Sequence, residues 1–168
     1  MATRIKAHMK SRLVKAVEIF RILGVGLGFY LAYANLGEAE SIRVLSLTFA
    51  IAMCGTLALE GLFLAKATAA EKGYAVVSGD ATDPYQVQNT MWFLSASIIG
   101  ITWTRLRPEA TEAYLLYVVM LCSFFVLSAM NHAWQAIKHG NRTWQNLNRP
   151  FLSLSMVIGS MPIIMSTR

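Results

Sequence analysis

Three acidic or basic side chains stand at least five residues inside long apolar stretches of the sequence, where they could bind a ligand or relay a proton. They are Arg21, Glu60 and His132. A charged group is unstable in hydrocarbon, so such residues are expected to face the interior of a helical bundle and to pair there or take a proton. Glu18 stands one helical turn before Arg21, and this spacing predicts a local ion pair. Glu60 has no such partner in its own stretch, so another helix must satisfy it.

Amide side chains accompany the histidine in the fourth apolar stretch. Residues at i, i+3, i+4 and i+7 form one polar stripe on a helix, and here they are Ser128, Asn131, His132 and Gln135. With alternating topology, several polar residues of separate stretches fall at one depth, near the inner surface of the membrane. The predicted cluster comprises Glu18, Arg21, Glu60, Gln88, Asn89, Asn131 and His132.

This cluster is open to several interpretations. The first is an interhelical hydrogen-bond network that fixes helix packing. The second is a ligand pocket, for a quinone or a lipid head group, and a proton relay through Glu60 and His132 is a further alternative. Metal or haem ligation is disfavoured, because the deep positions hold one carboxylate and one histidine and no Glu-x-x-His motif. No catalytic residue and no metal ligand is assigned, since no Ser or Cys stands convincingly beside a base with an orienting acid.

The composition places these residues in a membrane. The 168 residues are 55% hydrophobic and 14% charged, which is more apolar and less charged than an ordinary soluble domain. We therefore predict an all-α fold, a single transmembrane helical domain over residues 1–168 with a basic N-terminal tail at 1–13. Almost no chain remains for a soluble catalytic module.

Five stretches are long enough, or nearly so, to cross the hydrocarbon layer, which takes about 20 residues. They cover residues 14–35, 44–65, 85–104, 113–137 and 151–165. The fifth is the weakest, because it is short and contains Pro162. The sequence predicts five transmembrane helices, with four plus a short or re-entrant fifth segment as the alternative.

Basic residues are concentrated on one side of the predicted bundle. That side holds Arg4, Lys6, Lys10, Arg12, Lys15, Lys66, Lys72, Lys138, Arg142 and Arg149, whereas the other holds Arg43, Arg105, Arg107 and Arg168. The bias predicts an N-terminus inside, in a bacterial or archaeal cytoplasmic membrane or in the mitochondrial inner membrane. The basic tail leads directly into a span, so its expected partners are anionic lipids or other subunits and not nucleic acid.

Small residues recur every four positions in the first stretch, at Gly24, Gly28 and Ala32. Such a stripe lets another helix approach closely, so these three residues are predicted to pack against a neighbouring span. Cys54 and Cys122 fall near the middle of their stretches, where a thiol behaves as a small apolar group.

One segment resembles a known family. The run DPYQVQNTMWFLSASIIG, the pair Asn131-His132 and the exit to NRPF resemble a family of small polytopic membrane proteins of unknown function, over about residues 83–150. That family shows a Pro-aromatic-Gln motif, a later Asn, a Gly that ends the segment and an Asn-His pair on the next span. The matching positions are Pro84, Tyr85, Gln86, Asn89, Gly100, Asn131 and His132. The first half of this chain shows nothing diagnostic. The resemblance implies a shared fold and no activity.

Two function classes follow from these observations. The first is an accessory subunit of a larger membrane complex, without a catalytic site of its own, whose partners are other membrane subunits and whose bound molecules are membrane lipids. The alternative is a small membrane protein that binds or transports a small ligand through the polar cluster. The sequence names no cofactor, and an enzymatic activity is not expected.

Overall fold

The structure is a computed structural model that describes residues 2–71 and 84–167, with side chains for 12–69, 85–143 and 146–167. Apart from short connections, these residues are helical. The elements in chain order are α1 (Ala2–Ala34), α2 (Ala39–Thr48), a π-helix (Phe49–Gly55), α3 (Thr56–Phe63), α4 (Ala65–Glu71), α5 (Pro84–Leu106), α6 (Thr111–Lys138) and α7 (Trp144–Ser166). The predicted all-α class is confirmed. Within the described residues, the basic N-terminal tail is the beginning of α1.

Four helices of the described chain are long and apolar enough to cross a membrane. These spans are Arg12–Ala34, Ala39–Phe63, Thr111–Lys138 and Asn146–Ser166. The chain is therefore a membrane protein. The long helix that does not meet this criterion for a membrane span is α5, whose first turns carry Gln86, Gln88 and Asn89. The last helix, which the sequence predicted to be the weakest span, does meet it.

The last helix is longer than the sequence predicted. α7 begins at Trp144, seven residues before the expected start of the fifth stretch, and runs through Pro150 and Pro162 to Ser166. Prolines inside transmembrane helices are tolerated, because neighbouring side chains and local helix adjustments satisfy the freed carbonyls.

The second span lies at the centre of the bundle. It is one continuous helix, Ala39–Phe63, made of α2, the π-helix and α3, and we call it the central helix. α5 runs antiparallel along it: a Cβ on Gly61 would lie 2.0 Å from Thr90 Oγ1, and a Cβ on Gly100 would lie 2.6 Å from Ala50 Cβ. The two helices approach this closely because glycine has no side chain at either crossing.

The small-residue stripe of α1 packs against the other side of the central helix. A Cβ on Gly28 would lie 2.0 Å from Thr48 Oγ1, and one on Gly24 would lie 3.0 Å from Ala52 Cβ. Ala32 is fully buried, and its carbonyl accepts a hydrogen bond from Ser41 Oγ at 2.7 Å. The three small residues therefore lie in the contact between α1 and the central helix.

The π-helix keeps one face of the central helix turned towards α1. The residues on this face are four apart: Thr48, Ala52, Thr56 and Glu60. In an α-helix, which turns about 100° per residue, each step of four overshoots a full turn by about 40°. Glu60 would then point about 120° away from Thr48. The wider i→i+5 turns of Phe49–Gly55 absorb this excess.

An aromatic cluster forms the core between the central helix, α5 and α6. Phe49 and Phe125 meet edge to face with ring centroids 5.8 Å apart, and Trp92 stacks on Phe124 at 4.6 Å. The hydroxyl of Tyr117 donates to the carbonyl oxygen of Ala96 at 2.9 Å, which ties α6 to α5. This packing holds α5 and α6 beside each other, next to the polar residues described in the following section.

Candidate ligand-binding cleft

A cleft of about 970 Å³ lies between α1, the central helix, α5, α6 and α7. It occupies the half of the bundle where α4, the beginning of α5 and the end of α6 lie, and we call this the α4 end. A volume of this size is at the upper limit of the roughly 300–1,000 Å³ typical of small-molecule sites.

The lining of the cleft is charged and amide-rich at the α4 end and mainly apolar further in. The polar lining residues nearer the α4 end are Glu18 and Arg21 of α1, Glu60 of α3, Gln86, Asn89 and Thr90 of α5, Ser128, Asn131 and His132 of α6, and Arg149 of α7. The apolar lining residues further in are Val25, Phe29, Met53, Phe93, Phe124, Phe125 and Met156. Polar groups also occur further in, at Ser153 and Ser155 of α7 and Tyr33 of α1, but the charged and amide groups lie at the α4 end, so the cleft is amphipathic as a whole.

An ion pair between α1 and α3 forms one polar group of the lining. The Arg21 guanidinium binds the Glu60 carboxylate, and Arg21 Nε donates to Thr56 Oγ1 at 2.8 Å. Thr68 Oγ1 of α4 donates to the other carboxylate oxygen of Glu60 at 3.1 Å. Arg21 and Glu60 are 8% and 4% exposed, so both charges are buried and satisfied within the protein.

The ion pair corrects one expectation. Arg21 was predicted to pair with Glu18 on the same helix, but its carboxylate partner is Glu60, 39 residues further along the chain. The reason is geometric: close packing of α1 at Gly24 and Gly28 brings the guanidinium directly against α3. Glu18 lies on the cleft wall.

A second polar group joins α6 to the start of α7. His132 Nδ1 lies 2.7 Å from Asn146 Oδ1, and Asn146 Nδ2 donates to the carbonyl oxygen of Asn141 at 3.0 Å. The turn before Asn141 is made by Gly140, whose φ of 65° suits glycine. Asn146 is fully buried and His132 is 6% exposed.

These hydrogen bonds assign the tautomer of the histidine. The amide of Asn146 donates through Nδ2, so its Oδ1 is the acceptor and His132 Nδ1 carries the hydrogen. Arg149 Nη1 lies 3.4 Å from His132 Nε2, and a guanidinium can only donate. Nε2 therefore presents its lone pair beside the arginine.

The structure brings most of the predicted cluster to one cleft. Glu18, Arg21, Glu60, Asn89, Asn131 and His132 all line it. Gln88 is exposed and does not line the cleft, because it lies on another face of α5 from Asn89. Of the motif residues, Gln86 Nε2 donates to the carbonyl oxygen of Ala65 at 3.1 Å, and Tyr85 is 80% exposed.

Several residues of the site were not found from the sequence. They are Thr56, Thr68, Lys66, Asn146 and Arg149. Thr56 stands four residues before Glu60, and this spacing was an available signal for a shared helix face. Asn146 and Arg149 lie in the first turns of α7, which the sequence interpretation assigned to the loop before the last span.

The cleft reaches the surface of the bundle in two places. Between α1 and α7, exposed residues that line it are Ile22, Gly26, Leu152 and Ser155. These two helices meet further along, where Tyr33 OH donates to the carbonyl oxygen of Gly159 at 2.7 Å. At the α4 end the exposed lining residues are Lys66, Tyr85, Asn89 and Asn131. One opening is thus mainly apolar, and the other is polar.

The chemistry open to this site is hydrogen bonding and charge recognition. Among the residues that the structure describes, no three or more His, Cys, Asp or Glu side chains are grouped so that they could hold a metal ion. Comparison of the chain with protein-family models, curated proteins and solved structures gives no match.

Proposed function

We propose that the protein binds an amphipathic small molecule of the membrane within the cleft. The observation that carries this proposal is the contrast between the charged and amide-rich α4 end and the mainly apolar remainder of one volume of about 970 Å³. A polar head group would lie among the hydrogen-bonding side chains at the α4 end. The apolar part of the ligand would lie against the phenylalanine and methionine side chains further in. Ligand sites are typically concave and mainly apolar with a few convergent polar groups.

Filling the cleft tests the proposal. Gly26 lines the cleft, and an added Cβ there would meet nothing within 4 Å, so Gly26→Leu is chosen to add a side chain to the cleft. Leu23→Phe is the matched control, because Leu23 lies on the same helix, is 67% exposed and does not line the cleft. The measurement is mass spectrometry of the small molecules that copurify with each variant after gentle solubilisation. We expect one amphipathic species in the unmodified protein and in Leu23→Phe, and its loss in Gly26→Leu. Equal retention by all three proteins would contradict the proposal.

A second proposal is that the chain is an accessory subunit of a larger membrane complex, with no catalytic site of its own. It is supported by the outer helices, which expose apolar faces: 11% of the apolar part of α7 is buried, against 50% in the central helix. Sizing of the gently solubilised protein tests it. A stable particle of one 18.6 kDa chain plus detergent would count against the subunit proposal.

We also propose an orientation in which the α4 end faces the inside of a bacterial or archaeal cell or of a mitochondrion. Support comes from basic side chains near this end, namely Arg12, Lys15, Lys66, Lys138, Arg142 and Arg149. The described part of the opposite end carries Arg43, Arg105 and Arg107. Basic residues are enriched on the inner side of membrane proteins.

A further inference from the structure

We propose, on the basis of the ligand-binding function above, that the ligand of the cleft is a phospholipid whose head group carries a primary ammonium group, as phosphatidylethanolamine does. The carboxylate of Glu18 would accept hydrogen bonds from this ammonium group. The acyl chains would leave the cleft through the opening between α1 and α7.

Glu18 is a carboxylate of the cleft wall whose expected partner is engaged elsewhere. It lines the cleft from within the first membrane span, Arg12–Ala34, and is half-buried. Arg21, one turn further along α1, binds Glu60 instead. Within residues 2–71 and 84–167, Glu18 makes no hydrogen bond and no ion pair. An ionisable group inside a membrane span is expected to have a partner, so this position favours a donor that comes from a ligand.

The other charged residues of the lining are already engaged by the protein. Arg21 and Glu60 bind each other, and Lys66 and Arg149 make further interactions. In the described part of the chain, Glu18 is therefore the charged lining residue that has no partner. A zwitterionic head group places a cation beside this carboxylate without adding net charge to the cleft.

The carboxylate selects among head groups by their hydrogen-bond donors. An ionised carboxylate accepts hydrogen bonds and cannot donate them, so a quinone ring or a bare phosphate would place its own acceptors against Glu18. A primary ammonium group offers three N–H donors and a positive charge, and charge-assisted hydrogen bonds are about twice as strong as neutral ones. The trimethylammonium group of choline has the same charge but no N–H.

Neutral polar groups at the same end of the cleft suit the phosphate of such a head group. Asn89 of α5 and Ser128 and Asn131 of α6 line the cleft. Among the described residues, these three side chains make no hydrogen bond with the protein. Their amide N–H and hydroxyl groups can donate to phosphate oxygens.

The path from Glu18 to the opening of the cleft fits a lipid rather than a soluble amine. Glu18, Ile22 and Gly26 are four residues apart and all line the cleft. Gly26 lies about 12 Å from Glu18 along the axis of α1. Ile22 and Gly26 are exposed at the opening, together with Leu152 and Ser155 of α7. Because α1 and α7 both contain membrane spans, a chain that leaves here would extend into the bilayer.

The test measures lipid binding to the unmodified, delipidated full chain by native mass spectrometry. Three lipids share the same acyl chains and the same head-group charge: phosphatidylethanolamine with three N–H donors, its dimethyl derivative with one, and phosphatidylcholine with none. We expect affinity to fall in this order, with phosphatidylethanolamine at least about 10-fold tighter than phosphatidylcholine, from charged hydrogen bonds. Glycerophosphoethanolamine, which has the head group without chains, should not bind measurably.

Two variants assign the preference to a residue. Glu18→Gln should remove the difference between phosphatidylethanolamine and phosphatidylcholine, because a neutral amide binds an ammonium group more weakly than a carboxylate does. Since Glu18 has no partner among the described residues, its replacement leaves no other described group unsatisfied. Glu112→Gln is the matched control and should keep the difference, because Glu112 is exposed at the beginning of α6 and does not line the cleft.

Equal affinity for phosphatidylethanolamine and phosphatidylcholine overturns the inference, and so does a preference that persists in Glu18→Gln. Binding of glycerophosphoethanolamine as tight as that of the lipid would also overturn it, since the ligand would then be a soluble amine. A copurifying amphiphile without an amine that is lost in Gly26→Leu would overturn this inference and leave the proposed function intact. If no amphiphile binds at all, both fail.

Discussion

Arg21 of α1 and Glu60 of α3 form a buried ion pair across two membrane spans. The pair joins positions 39 residues apart, and hydroxyl groups of Thr56 and Thr68 form further hydrogen bonds with it. Two opposite charges in low dielectric stabilise each other only while both are present. The pair therefore couples the position of α1 to that of the central helix at the polar end of the cleft.

Removing both partners of this ion pair should destabilise the protein by less than the sum of the two single removals. We expect Glu60→Leu and Arg21→Met each to lower the free energy of unfolding by about 3–5 kcal/mol, because each removes the opposite charge that binds the buried partner. The double variant should lose clearly less than the sum of the two. Denaturation in mixed micelles, followed by circular dichroism, measures these values.

The control is a partly exposed ion pair on the central helix, between Glu40 and Arg43. Glu40→Leu should change stability by less than about 1 kcal/mol, as partly exposed pairs do. Additive effects of Arg21→Met and Glu60→Leu would contradict the coupling.

Three glycines of α1 offer a graded test of helix packing. An added Cβ would lie 2.0 Å from the nearest Thr48 atom at Gly28, 3.0 Å from Ala52 at Gly24, and near nothing at Gly26. We expect Gly28→Ala to lose about 1–3 kcal/mol through overpacking, Gly24→Ala to lose less, and Gly26→Ala to be neutral or stabilising because alanine favours helix. Thermal denaturation of the three variants gives the order, and Gly26→Ala being the least stable would refute it.

Two buried serines of α2 should respond differently to replacement by alanine. Ser41 Oγ donates to the Ala32 carbonyl oxygen, whereas Ser46 Oγ has no hydrogen-bond partner among the described residues. Ser41→Ala should lose about 0.6 kcal/mol, the average for such bonds between membrane helices. Ser46→Ala should be neutral or stabilising, since it removes an unsatisfied buried polar group. The same unfolding assay compares them, and a larger loss for Ser46→Ala would show that its hydroxyl is satisfied.

The proposed orientation predicts which loop is reachable from each side of the membrane. In a background that lacks Cys54 and Cys122, Arg142→Cys should react with a membrane-impermeant thiol reagent only after the inner side is opened. Glu109→Cys, in the opposite loop, should react in intact cells. Both positions are exposed. The reverse labelling pattern would invert the orientation.

Periodicity and apolar length were sufficient to predict the helical class. Because a buried carboxylate must be paired or hydrogen-bonded, the sequence also predicted that Glu60 has a partner. The identity of that partner was not predictable, because a neighbour on the same helix, Glu18, competes with any residue from another helix until the packing is known. The start of α7 was also missed. Its first turns are polar and resemble a loop, yet Asn146 is buried against His132 and Arg149 lines the cleft.

The π-helical turn at Phe49–Gly55 makes the second span one residue longer than three α-helical turns require between Thr48 and Glu60. Eleven residues complete about three such turns, so we expect the chain to tolerate the loss of one residue at this place. Deleting one residue within Phe49–Gly55 would convert the segment to ordinary helix with the carboxylate still in phase with Arg21. If the π-helix is retained, the same deletion at Leu59 would rotate the carboxylate by about 100°.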